Sequence, residues 1–68
     1  MKNELKELLE YISNGYSVKE SAKKLHLNAR TCEAWIIDLR EEFYARNTTH
    51  LIGLLIVKGV ISPPASRF

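Results

Sequence analysis

The chain predicts an all-α domain of four helices, organised around a helix-turn-helix in its middle third. Three observations carry this. Ser17 followed by Glu20 forms a capping box, the pairing of hydroxyl and carboxylate that satisfies orphan backbone N–H groups where a helix starts. Asn28, a favoured N-cap, stands directly after a short run with apolar Ala22 and Leu25 on one side, so a second helix starts across a very tight turn at His26 and Leu27. Cys32, Ile36, Leu39 and Phe43 then recur at spacings of four, three and four, which is one inward face of a single helix.

In chain order, Leu5, Leu8, Leu9 and Ile12 follow the i, i+3, i+4, i+7 rule, with Met1 in line and Lys2, Glu4, Lys6, Glu7 and Glu10 mainly between them. That is an amphipathic first helix. Asn14-Gly15 ends it, because glycine takes the left-handed C′ conformation readily, and Tyr16 supplies the apolar contact that follows such a cap. The second helix begins at Val18, and the small Ala22 lets the third cross close over it. After the third helix, residues 45–49 lack periodicity and offer Asn47, Thr48 and Thr49 as N-caps for a last helix over roughly 50–58, closed at Gly59. Residues 1–61 make the domain; residues 62–68, with Pro63-Pro64, make an extended tail.

The last helix is apolar nearly all round. Its run L-I-G-L-L-I-V is too short to span a bilayer, which needs about twenty residues, so its surplus apolar surface calls for protein. Leu51, Ile52, Leu55 and Ile56 are expected to face the core, leaving His50, Gly53, Leu54 and Val57 for a second copy of the chain. A domain of 68 residues buries only about 60% of its unfolded surface, which makes help from a partner copy reasonable.

With 46% hydrophobic and 26% charged residues, the composition is that of a folded domain and excludes a disordered tail. The single cysteine, Cys32, forms no internal disulfide and sits on the apolar stripe, as a buried inert thiol would in a reducing compartment. The start M-K-N-E-L-K-E-L-L carries charges at helical spacing and is not a signal peptide, so a cytoplasmic location is expected, with no membrane partner. His26 and His50 stand apart from further metal-ligand types and read as ordinary surface histidines, so no metal is expected. No nucleophile, base and orienter assemble from any motif, and the chain is not expected to be an enzyme.

The net charge of +2 says less than its distribution. Residues 16–32 carry Lys19, Lys23, Lys24 and Arg30 against Glu20 alone, whereas residues 33–42 carry Arg40 against Glu33, Asp38, Glu41 and Glu42. As a duplex binder the chain would set Lys19, Lys23 and Arg30 on phosphates, with the Thr31 hydroxyl and the amides at the start of the third helix as further donors. Helical spacing puts Arg30, Glu33, Ala34, Ile37 and Glu41 opposite the core stripe. Of these, Glu33 can accept from a cytosine amino group, and Ala34 and Ile37 can contact thymine methyls.

The run over residues 8–61 resembles the LuxR/GerE type of DNA-binding domain, and aligns without gaps. The matching residues are Leu9 and Gly15, S-V-K-E-S-A-K-K-L at 17–25 for the family's S-N-K-E-I-A-x-x-L, Thr31 at the start of T-V-K-x-H, Leu39, Asn47, and K-G-V-I at 58–61 for x-G-L-I. The resemblance implies four helices of which the third reads DNA, in a bacterial or phage transcription regulator that is homodimeric through its fourth helix. It further implies a two-fold related operator in double-stranded DNA and no cofactor. The departures fall where DNA would lie: the family's lysine is Glu33 here and its histidine is Trp35. The competing expectation is an interaction module that keeps the fold but grips another transcription regulator through Trp35 or Ile37 and the last helix. For Trp35 itself, one step from Ile36, a place at the edge of the core is the simpler reading, and for the lysines it is a solvated face.

Overall fold

Three of the four helices are started by a side-chain cap, and all four are stopped by a residue in the left-handed conformation. The computed structural model describes residues 2–62, as α1 (Asn3–Ser13), α2 (Val18–Lys24), α3 (Ala29–Glu42) and α4 (Thr48–Val57). Met1 and residues 63–68 of the expected tail lie outside the described residues; Ser62 is exposed and in no regular element.

At α2 both bonds of the box form: the Ser17 N–H donates to Glu20 Oε1 and the Glu20 N–H donates to Ser17 Oγ, each at 3.0 Å. At α3 the Asn28 Oδ1 accepts from the N–H groups of Arg30 (2.9 Å) and Thr31 (3.2 Å). Of the three candidate caps for α4, Asn47 is the one used, accepting from the His50 N–H at 2.8 Å. Thr48 and Thr49 are helical in consequence, and the last helix starts two residues earlier than periodicity alone indicates.

All four helices end the same way. In each, the residue after the C-cap turns to positive φ and the two N–H groups beyond the cap fold back onto the last turn, the Schellman arrangement. In α1, Gly15 (φ +103°) donates to the Ile12 carbonyl at 3.0 Å and Tyr16 to that of Tyr11 at 3.2 Å. The Tyr11 and Tyr16 rings then meet edge to face at 5.6 Å, the apolar contact expected of such a cap. In α4 the glycine is Gly59 (φ +76°), with Val60 donating to Leu55 at 2.9 Å. In α2 and α3 the left-handed position is filled by His26 (φ +58°) and Tyr44 (φ +55°). Leu27 donates to Ala22 and Ala45 to Arg40, both at 2.8 Å. The helical part of α2 therefore stops at Lys24, short of the His26–Leu27 turn, and His26 has a structural place that its reading as an ordinary surface histidine lacked.

Leu8 and Leu9 of α1, Ala22 of α2, Cys32, Ile36 and Leu39 of α3, Leu51, Ile52 and Leu55 of α4, and Ile61 beyond it are buried in one core. Helices α1 and α3 each pack on all three others, while α2 and α4, among the described residues, pack only on that pair. The expected inward residues of α3 and α4 are confirmed, with Phe43 and Ile56 half-buried at the core's edge. Ser21, also buried, donates its hydroxyl to the Ser17 carbonyl at 2.7 Å and so costs no unsatisfied polar group. Three lysines lie over aromatic rings at the helix seams: Lys2 over Trp35 (4.8 Å), Lys24 over Tyr16 (4.9 Å) and Lys58 over Phe43 (5.9 Å). Among the described residues no helix is long and apolar enough to cross a membrane.

Candidate nucleic-acid interface

The inward stripe of α3 dictates what its other side presents. With Cys32, Ile36 and Leu39 in the core, Arg30, Glu33, Ala34, Ile37 and Glu41 are all exposed, and Ile37 keeps 51% of its surface open. Leaving half an isoleucine in water forgoes part of the roughly 1.5 to 3 kcal/mol that full burial of such a side chain contributes, so this face is one that a partner can stabilise. Lys19 and Lys23 are exposed on α2, which packs directly against α3. Lys24 instead reaches back over the Tyr16 ring, which separates it from the two lysines assigned to phosphate.

Thr31 is exposed at the first turn of α3. The amides of that turn are a different matter. They were expected to serve as anion donors, but the N–H groups of Arg30 and Thr31 are taken by Asn28 Oδ1. The same asparagine that makes the helix start legible occupies two of the donors a phosphate would use.

Around Ile37 and Arg40 the surface dips on two sides, toward Glu41, Tyr44 and Ala45 on one and toward Val18, Glu33, Ile36 and Thr48 on the other. Arg40, the only cation between residues 33 and 42, lines both dips, and its Nη2 donates to the Arg46 carbonyl at 2.8 Å, across the turn into α4. Its Nε is buried and has no hydrogen-bond partner among the described residues. No periodicity connects residues on the two sides of a helix end, so this tether had no signal in the sequence. Trp35 sits half-buried between Lys2, Leu5, Leu39 and Phe43 on the flank of α3, at the edge of the core.

Of the four residues expected to meet a second copy, Gly53 and Val57 are exposed, Val57 at 85%, and a Cβ built on Gly53 would meet nothing within 4 Å. Leu54 is half-buried within the single chain. His50 is exposed but engaged, since its Nδ1 accepts from the Arg46 N–H at 3.0 Å while Asn47 caps the His50 N–H. It is thus a fastening of the α4 start, which its description as an ordinary surface histidine missed.

Two groups here are shifted from their ordinary ionisation. Hydrogen bonding from the Ser17 backbone, then from its hydroxyl, holds the Glu20 carboxyl below 4.5, with Lys24 helping. Burial, and after it the Glu33 charge, pushes the Cys32 thiol above 9.0, so it stays protonated and inert at neutral pH. Among the described residues no cluster of three or more His, Cys, Asp or Glu side chains is placed to hold a metal ion. Comparison with protein families, with curated proteins and with solved structures finds no match to this chain.

Proposed function

We propose that the chain is a LuxR/GerE-type helix-turn-helix regulator that binds duplex DNA as a homodimer, with α3 in the major groove and α2 across the backbone. The supporting observation is the presentation of α3. It is capped at its start, seated by its inward stripe on α1, α2 and α4, and exposed along the whole opposite face. Recognition helices enter the groove by their N-terminal residues, and here the first turn carries Arg30 and Thr31, with Lys19 and Lys23 on the neighbouring helix. The carboxylates of Glu41 and Glu42 come at the far end, where the helix leaves the groove. The exposed Gly53 and Val57 of α4 form the patch through which two copies join, each presenting one α3 to one half of a two-fold site.

One observation favours a second reading. Past Arg30 the only cation of α3 is Arg40, half-buried and bonded to the Arg46 carbonyl, and the exposed face combines Ala34 and the half-open Ile37 with Glu33 and Glu41. Such a face also suits a basic, apolar segment of another regulator. The discriminating experiment is a titration of the chain against random-sequence duplex at two salt concentrations, because phosphate neutralisation makes affinity fall as salt rises. Salt-dependent binding supports the DNA reading; absence of binding at low salt leaves the protein partner.

A further inference from the structure

We propose that α3 reads one cytosine and two thymines: the Glu33 carboxylate accepts from the amino group of the cytosine, and Ala34 and Ile37 cover the methyl groups of thymines in the two adjoining base pairs. This rests on the duplex-binding reading above and adds the base code.

The assignment follows from what the exposed face offers and what each base edge requires. A carboxylate has only acceptors, so it is repelled by the N7 and O6 of guanine and by the O4 of thymine. Adenine offers an amino donor, but its own N7 acceptor lies beside it and faces the second carboxylate oxygen; cytosine carries no acceptor on its own major-groove edge. Glu33 is exposed and, among the described residues, its carboxylate is in no hydrogen bond, so both oxygens are open to the groove. Alanine and isoleucine offer no polar atom, and in the major groove only thymine presents a methyl group to them. The exposed half of Ile37 gives that contact apolar area to bury.

Spacing sets the register. At about 1.5 Å of rise per residue, Glu33 and Ile37 lie about 6 Å apart along the helix, just under two steps of about 3.4 Å along a strand. Glu33, Ala34 and Ile37 therefore fall within three consecutive base pairs. No arginine or lysine stands between Glu33 and Ile37, so that window has no guanine reader of the usual kind. Arg30, one turn earlier on the same face, is left to a phosphate at the groove's edge.

The test begins with duplexes enriched from a random pool by the 68-residue chain at low salt. The expected half-site has a cytosine with thymines in the two adjoining base pairs. Replacing those thymines by deoxyuridine removes only the methyl groups, and is expected to weaken wild-type binding about threefold to fourfold per methyl. With Ile37→Ala the difference at the thymine assigned to Ile37 disappears, while that at the thymine assigned to Ala34 remains. Glu33→Gln, which can pair with the amino group and N7 of adenine, is expected to move the preference at that base pair from cytosine to adenine by about tenfold. Both positions are exposed, and unchanged helical circular dichroism verifies that the variants fold. An enriched site lacking the cytosine or the thymines, an indifference to uracil, or an unchanged preference with Glu33→Gln overturns this code while leaving DNA binding in place. A pool in which no sequence is enriched overturns both.

Discussion

Two residues carry a conformation that their side chains resist. Tyr44 and His26 occupy the left-handed position after α3 and α2, where a side chain costs about 1 to 2 kcal/mol and glycine costs less. Tyr44 is 89% exposed, so its removal forfeits little packing. Tyr44→Gly is expected to raise the free energy of unfolding by about 0.5 to 1 kcal/mol, the relief of strain exceeding the added entropy of the unfolded chain; urea denaturation checks it. Glu20 makes a prediction in pH. Its carboxyl is lowered from 4.5 by the Ser17 hydrogen bonds, so the capping box contributes fully above that value and is lost as pH falls through the lowered one. Glu20→Gln keeps an acceptor for the Ser17 N–H without a titrating group. The difference in urea midpoint between wild type and this variant should therefore be constant at neutral pH and shrink below about 4.5.

At the scale of elements, the starts of α2, α3 and α4 were legible because each is a side-chain event: Ser17 with Glu20, Asn28, and one of three adjacent caps before α4, whereas α1 starts at Lys2 with no side-chain cap. Asn28→Ala removes the acceptor for two N–H groups and is expected to destabilise the fold by about 1 kcal/mol, read as a lower thermal midpoint. The stops were legible where glycine marks them, at Gly15 and Gly59, and not where His26 and Tyr44 do the same work. A left-handed histidine or tyrosine is imposed by the return of Leu27 and Ala45 onto the preceding turn, which is a property of the packed chain and has no residue signature. For the same reason Arg40 read as one charge among acids, although it fastens the α3 end to Arg46. The exposed face of α3 was foreseen residue by residue, because the core stripe leaves a helix only one opposite side. The capped state of its first amides was not, because the same asparagine serves as a start signal and as a competitor for anions.

In the whole molecule the proposed groove-reading helix is joined to a proposed patch for a second copy. Leu54 is half-buried in the single chain, so a charge there would disturb the fold as well as any interface. Val57, 85% exposed, separates the two effects: Val57→Glu should leave cooperative unfolding of the chain intact and shift sedimentation from dimer to monomer. A wild-type chain already monomeric at high micromolar concentration contradicts the interface. The central claim, that α2 and α3 grip a duplex, is tested most directly by measuring affinity for random-sequence DNA across a range of salt. Lys19, Lys23 and Arg30 on each of two copies give six phosphate contacts, for which the logarithm of the affinity falls by about five for each unit in the logarithm of salt concentration. The account predicts a slope near that value, reduced by about one for each phosphate contact removed, so by about two in a dimer of Lys23→Ala chains. A chain that folds and dimerises yet shows no duplex binding at low salt contradicts it.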